Sequence, residues 1–286
     1  MIANRKVIVV LPAYNAERTL ERTYGRIPRD VVDEIILIDD GSQDRTVETA
    51  TRLGIATWRH VTNRGYGATQ KTSYQLAISR GADVIVMLHP DDQYPPELIP
   101  VLAEQVAYGH AHVVIGSRLL MDGAIRRGMP WYKYLFNRLW TFGQNLCLGQ
   151  RLSEYHTGFR AFSREFLLRV PLLENSDDFL FDNQILVQAV SFGYAVDEVP
   201  VPAQFPPDAS SISVWRGIWY GLGIVVTTCQ FLLQQAGLVR FRLFDPGGRR
   251  LTDSASCNEP AATAGSPVGI GPGVGTLGAA QYSRAA

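Results

Sequence analysis

Cysteine is scarce in this sequence, and neither sign of charge is in excess. The 286-residue chain has three cysteines, which are odd in number and far apart (Cys147, Cys229 and Cys257). That spacing gives neither a disulfide framework nor a zinc site, and it is typical of free thiols in a reducing compartment. The formal net charge is +0. No field of one sign therefore draws the protein to nucleic acid, and we expect no such partner.

No long hydrophobic segment stands near the N-terminus. The first apolar run, 7–11, is too short for a signal peptide or a membrane span, and it ends at Pro12. It is typical of a β-strand, so we expect the domain that it opens to lie in the cytoplasm. The hydrophobic fraction of 46% supports a sizeable core and excludes global disorder.

Strand-like and helix-like segments alternate along the chain. Apolar strands separated by helices predict an α/β fold with a mainly parallel central sheet that has helices on both faces. We predict strands at 7–11, 34–38, 55–59, 84–88, 113–115 and 194–199. We predict helices at 16–24, 44–53, 67–80, 97–108, 131–148, 163–170 and 182–192.

Three polar clusters directly follow predicted strands, at 12–15, 39–42 and 89–93. Ligands of such sheets bind at the carboxyl ends of the strands, so these clusters are expected to meet. The carboxylates at 39–40 suit a nucleobase or ribose hydroxyl, or simply a capped turn. The segment His89–Gln93 offers oxygen ligands for Mg²⁺ or Mn²⁺, or an Asp-rich turn before the next helix.

Later clusters allow two interpretations each. Gly116–Arg118 suits phosphate. Gly158 would allow close backbone approach to a sugar. His156 is a ligand, a base or, more simply, a hydrogen-bonded structural residue. The carboxylates at 177–182 supply a general base or a helix N-cap.

The segment 217–237 has 21 residues without a charge. It is long enough to span a bilayer, but glutamines, threonines and clustered aromatics favour an interfacial helix over a core helix or a true span. We therefore divide the chain into a catalytic domain at 1–212, an amphipathic helix at 213–244 and a disordered tail at 245–286.

The order of these motifs resembles the family 2 glycosyltransferases, which have the GT-A fold, and especially their dolichyl- or polyprenyl-phosphate sugar synthase branch. The resemblance covers about residues 5–235 and is carried by the segments 11–15, 38–42, 63–68, 89–93, 116–118, 157–160 and 198–201. It implies an inverting transfer from a nucleotide-sugar donor to a polyprenyl phosphate or another envelope or glycolipid acceptor. Separately, the apolar segment 215–237 predicts peripheral contact with the inner face of the membrane.

The resemblance implies a role for each matching residue. The donor would contact Pro12, Tyr14, Glu17, Ile38, Asp40, His89, Asp91, Gln93 and Arg118. Asp91 and His89 would hold a divalent metal, Mn²⁺ or Mg²⁺. Asp182, Asp178 and Arg160 would be catalytic.

Two departures from the family pattern matter. The first Asp of the D-x-D metal motif is His89, which favours Mn²⁺ over Mg²⁺. The loop 204–211 has no Arg or Lys, so the usual cation for an acceptor phosphate is missing there. A soluble hydroxyl acceptor and a non-catalytic nucleotide-sugar-binding protein are the alternatives. A Rossmann dehydrogenase is a weaker third alternative, because no G-x-G-x-x-G follows the first strand.

Overall fold

A computed structural model of the chain describes residues 1–121, 123–202 and 214–252. In these residues seven strands form one sheet in the order β3-β2-β1-β4-β6-β5-β7. The strands are β1 Val7–Ala13, β2 Glu34–Asp39, β3 Ala56–Arg59, β4 Val84–Met87, β5 Val113–Ser117, β6 Arg160–Ser163 and β7 Val196–Pro200. The helices are α1 Glu17–Gly25, α2 Thr46–Arg52, α3 Tyr66–Ser79, α4 Ile99–Ala107, α5 Trp131–Leu148, α6 Arg164–Arg169, α7 Phe181–Ser191 and α8 Val214–Gln235.

The first four strands are parallel, and β1, β2 and β4 are buried on both faces, as their apolar sequences predict. Along β1, Ile8 and Val10 belong to the core on one face of the sheet, and Val7, Val9 and Leu11 belong to the core on the other. Successive side chains of a strand point to opposite faces, so a fully apolar strand needs helices on both sides. The predicted two-sided α/β architecture is confirmed.

Strand β6 is absent from our sequence prediction, which left 157–162 without a strand. It lies between β4 and β5 and is antiparallel to both, with Arg160 opposite Met87 and Ile115. The strand has four residues and starts with an arginine, so it has no apolar run or alternation that marks it. Its last residue, Ser163, accepts a hydrogen bond from Phe166 N and thereby caps α6.

The segment that follows α8 returns to the catalytic domain. Leu243, Phe244 and Leu251 are buried in one of the two cores. The side-chain amide of Gln75 donates to Thr252 O at 2.7 Å, and Thr252 N donates to Gln75 Oε1 at 3.0 Å. The prediction of disorder is therefore wrong for 245–252, because Leu251 packs into the core and Thr252 is hydrogen-bonded to Gln75. The rest of that predicted tail, 253–286, lies outside the described residues.

We expect Leu251→Ala to lower the free energy of unfolding by about 2–4 kcal/mol, because it removes buried methyl groups and leaves a cavity. Leu251 is 4% exposed. The matched control is Leu238→Ala, since Leu238 is 72% exposed and should lose little. Urea unfolding of the full chain measures both values. Equal effects of the two substitutions would show that the returning segment does not stabilise the domain.

Candidate active site

Four strands deliver polar segments to one edge of the sheet. The ends of β1, β2 and β4 lead into 12–15, 39–42 and 89–93, as predicted, and the end of β5 adds 117–118. The N-termini of α3 and α7 are held against each other, because Gly67 N donates to Asp177 O at 2.7 Å. A Cβ on Gly67 would lie 2.4 Å from Ser176 O, so only glycine permits this approach.

The predicted nucleoside-binding residues lie around the ends of β1 and β2. Pro12 and Ile38 are buried in their strands, and Tyr14 is exposed. The carboxylate of Glu17 accepts from Arg45 Nε at 2.7 Å at the start of α1. These side chains are near one another, but Glu17 is already paired.

Asp40 binds the loop that precedes α3. Its carboxylate accepts from Arg64 N and Gly65 N, both at 2.9 Å, and lies 2.7 Å from His60 Nδ1. Asp40 is buried, so these bonds offset the cost of removing its charge from water. Asp40 therefore fixes the conformation of the loop that precedes α3.

The two adjacent aspartates after β4 have different partners. Asp91 Oδ1 accepts from Gln93 N at 3.1 Å, and Asp91 Oδ2 has no partner among the described residues. Asp92 instead pairs with Arg22 at 3.0 Å and Arg26 at 2.9 Å. Within residues 1–121, 123–202 and 214–252, no group of three His, Cys, Asp or Glu side chains is placed to hold a metal. Asp91 therefore has the available carboxylate oxygen, and any cation there needs ligands from a substrate.

His89 contacts the opposite half of the site through Tyr66. The Tyr66 hydroxyl lies 2.9 Å from His89 Nε2 and donates to Asp182 Oδ2 at 2.7 Å. A Cβ on Gly158 would lie 2.3 Å from His89 Nε2. The close approach that we expected at Gly158 is therefore made by the His89 imidazole. This connection joins the end of β4 to the start of α7.

Asp182 is surrounded by donors. Gln70 Nε2 donates to Asp182 Oδ1 at 2.9 Å, and Arg160 Nη1 lies 3.6 Å from the same oxygen. Arg160 is 0% exposed and donates to the carbonyls of Tyr155, Thr157 and Asp182. In this structure Arg160 is buried beside Asp182 and does not face solvent. Asp178 is exposed and outside this network, with its Oδ1 accepting from Phe179 N.

Arg118 is bound to Glu154, a residue that our sequence analysis did not select. Arg118 N and Nε both donate to the buried Glu154 carboxylate at 2.9 Å, and Asn137 Nδ2 of α5 donates to it at 2.8 Å. Burial opposes ionisation, but Arg118 lowers the pKa of Glu154 below its ordinary value. Tyr66 belongs to the segment 63–68 that carries the resemblance but was given no role, and Glu154 carries no chemical pattern in the sequence, because the partners of both residues are distant along the chain. The acceptor loop 204–211 lies outside the described residues.

His156 connects the site to α8. Its Nδ1 lies 2.9 Å from the Tyr220 hydroxyl, and its ring packs edge-on against Tyr220. Burial lowers the pKa of His156 to about 4. Its burial and its contacts with Tyr220 support the structural interpretation of His156.

The sequence model for "Glycosyl transferase family 2" matches residues 8–170, which is more than half of the chain and includes the ends of β1, β2, β4 and β5. The chain belongs to this family. It is 29% identical to polyprenol monophosphomannose synthase of Mycolicibacterium smegmatis over 69% of this chain and 77% of that protein. It is 30% identical to undecaprenyl-phosphate mannosyltransferase of Micrococcus luteus over 68% of this chain and 82% of that protein.

Solved structures support the fold of this family 2 glycosyltransferase. Glucosyl-3-phosphoglycerate synthase of Mycobacterium tuberculosis, solved with Mg²⁺ and UDP, superposes with a TM-score of 0.64 at 22% identity. The superposition covers 83% of this chain and 82% of that one. The predicted GT-A fold and glycosyltransferase activity are confirmed.

The stability of this glycosyltransferase should decline as the pH falls from about 6.5 to about 4. The unfolded chain protonates the His156 imidazole near pH 6.5, whereas the folded protein resists protonation until about pH 4. Protonation of His156 should therefore lower the free energy of unfolding by up to about 1.4 kcal/mol for each pH unit within that window. Above pH 6.5 it should have no effect. Urea midpoints at pH 5 and pH 7 should differ less in His156→Gln than in the wild type. An unchanged difference would contradict the assignment.

Proposed function

We propose that this enzyme transfers a sugar, with inversion, from a nucleotide-sugar donor to a polyprenyl phosphate at the cytoplasmic face of a membrane. The observation that carries the proposal is the contact between the two halves of the site. His89 belongs to the donor side and Asp182 to the acceptor side, and Tyr66 bonds to both. The relatives named for polyprenol and undecaprenyl phosphate support the acceptor class.

The donor diphosphate is proposed to sit beside Asp91 and His89. Asp91 Oδ2 and the His89 imidazole would hold a divalent cation, which would neutralise the charge that grows on the departing nucleoside diphosphate. Such a cation commonly takes one or two carboxylates and completes its shell with substrate phosphates and water. The residues present fit that kind of site, and the imidazole favours Mn²⁺ over Mg²⁺.

The state of Asp182 favours a phosphate acceptor over a hydroxyl acceptor. Both of its oxygens already accept hydrogen bonds, from Tyr66 and Gln70. A phosphate oxygen is already anionic at neutral pH and needs no base, whereas a hydroxyl needs one within hydrogen-bonding reach. In this proposal Asp182 and Arg160 organise the acceptor side, and the nucleophile attacks the anomeric carbon opposite the diphosphate.

Asp91→Asn should reduce transfer roughly 100-fold or more, because it removes the carboxylate charge beside the diphosphate while keeping the turn to Gln93. Asp92→Asn is the matched control, since Asp92 pairs with Arg22 and Arg26. The assay measures nucleoside diphosphate released from GDP-mannose, UDP-glucose and UDP-N-acetylglucosamine with undecaprenyl phosphate and Mn²⁺. Activity of Asp91→Asn within a few-fold of the wild type would show that the metal assignment is wrong.

Helices α5 and α8 present the surface that we propose contacts the membrane. They pack side by side, with Gly221 against the indole of Trp140. Only 28% of the apolar window Gly217–Gln235 is buried, which argues against a core helix. Large apolar side chains are exposed along both helices at Trp131, Leu135, Phe136, Leu139, Phe142, Leu146, Ile218, Trp219, Leu222, Val225 and Val226. Exposed apolar surface of this extent is typical of an interaction site. Because the proposed acceptor is a lipid, we propose that this surface contacts the bilayer.

The full-length protein should float with vesicles of phosphatidylethanolamine and phosphatidylglycerol. Replacing Phe142 and Trp219 together by glutamate should reduce the floated fraction at least about 10-fold, because both rings are more than two-thirds exposed and would enter the interface. The control is Val61→Glu, at a 97% exposed position on the β3–α3 connection. Equal flotation of the double variant and the control would remove the support for this membrane surface.

A further inference from the structure

The hydroxyl of Tyr66 forms hydrogen bonds with both halves of the site. It lies between His89 Nε2 at 2.9 Å and Asp182 Oδ2 at 2.7 Å. The Tyr66 ring stacks with His89 and with Phe179, with ring centroids 5.4 Å and 4.9 Å apart. These two ring contacts restrict the ring and therefore the position of its hydroxyl.

Proton counting determines the direction of both hydrogen bonds. A phenol has one hydrogen to donate, and an ionised carboxylate can only accept. The Tyr66 hydrogen therefore goes to Asp182. The second bond then requires a hydrogen on His89 Nε2.

We propose that Tyr66 is a positioning residue that holds His89 in the Nε2–H tautomer and leaves the lone pair on Nδ1. His89 Nδ1 has no hydrogen-bonding partner within the described part of the chain. Gly158 contributes by leaving room for the Nε2 edge of the ring, where a Cβ would lie 2.3 Å away. Nδ1 is thus the nitrogen prepared to ligate a cation or to accept a hydrogen bond.

The tautomer of His89 follows from the geometry alone. Only the cation that would bind Nδ1 rests on the proposed function. Groups that bond the second nitrogen of a ligating histidine fix its tautomer, and removing them typically costs 10–100-fold in metal affinity. Here Tyr66 would act as that group and would connect the ligand on the donor side to Asp182 on the acceptor side.

The test is the imidazole ¹⁵N spectrum of the full chain labelled at its five histidines. The His89 signal is identified by its loss in His89→Gln. In the wild type at pH 7.5, His89 should show a protonated Nε2 and an unprotonated Nδ1. In Tyr66→Phe, which keeps the stacked ring and removes the hydroxyl, the two nitrogens should move toward the averaged shifts of exchanging tautomers. Tyr155→Phe is the control, because its buried hydroxyl bonds to Asn145 instead.

Mn²⁺ alone gives a second readout through paramagnetic broadening of the His89 signal. The Mn²⁺ concentration that broadens this signal by half should rise about 10-fold in Tyr66→Phe and remain unchanged in Tyr155→Phe. A wild-type His89 protonated on Nδ1, or the same His89 spectrum in Tyr66→Phe, would overturn the inference. If the tautomer shifts as expected but Mn²⁺ broadens His89 in neither protein, the positioning role stands and the metal part of the proposed function fails.

Discussion

The buried carboxylate of Asp182 is the interaction on which the site depends. It accepts from two residues of α3, Tyr66 and Gln70, and lies next to Arg160 of β6. A single charge thus ties α7 to α3 and to the centre of the sheet. Leaving a buried charge without these donors costs several kcal/mol, so the helices and the strand have one arrangement that satisfies it. His89 joins this arrangement through the Tyr66 hydroxyl.

Most of the fold was predictable from the sequence because its strands and helices are locally distinct. The apolar runs of β1, β2 and β4 are short and end at polar residues, as is typical of buried strands, and the predicted bounds 131–148 are those of the aromatic helix α5. Strand β6 was not predictable, because its four residues form no apolar run and its pairing partners β4 and β5 lie far away in the sequence. The docking of Leu251 depends likewise on a core built from residues far away in the chain.

The candidate site was predictable in position but only partly in the state of its side chains. Strand order brought the segments after β1, β2 and β4 to one edge, as parallel topology requires. A sequence does not reveal which charges already have partners inside the fold. Arg118 is bound by Glu154, and Arg160 by three carbonyls. An arginine beside a predicted phosphate site can therefore serve the framework that shapes the site.

The same reasoning accounts for the histidine at position 89. The bridging Tyr66 hydroxyl has one hydrogen, which Asp182 takes. The imidazole of His89 can offer a hydrogen on Nε2 to the Tyr66 oxygen, 2.9 Å away, and still present a lone pair on Nδ1. An ionised aspartate at position 89 has no hydrogen to offer, and its shorter side chain would not repeat this contact. Gly158 leaves room for the larger imidazole ring. Within the proposal, His89 and the Tyr66 hydroxyl therefore act as one unit, because the hydroxyl orients the ring and the ring completes the hydrogen bonds of the hydroxyl.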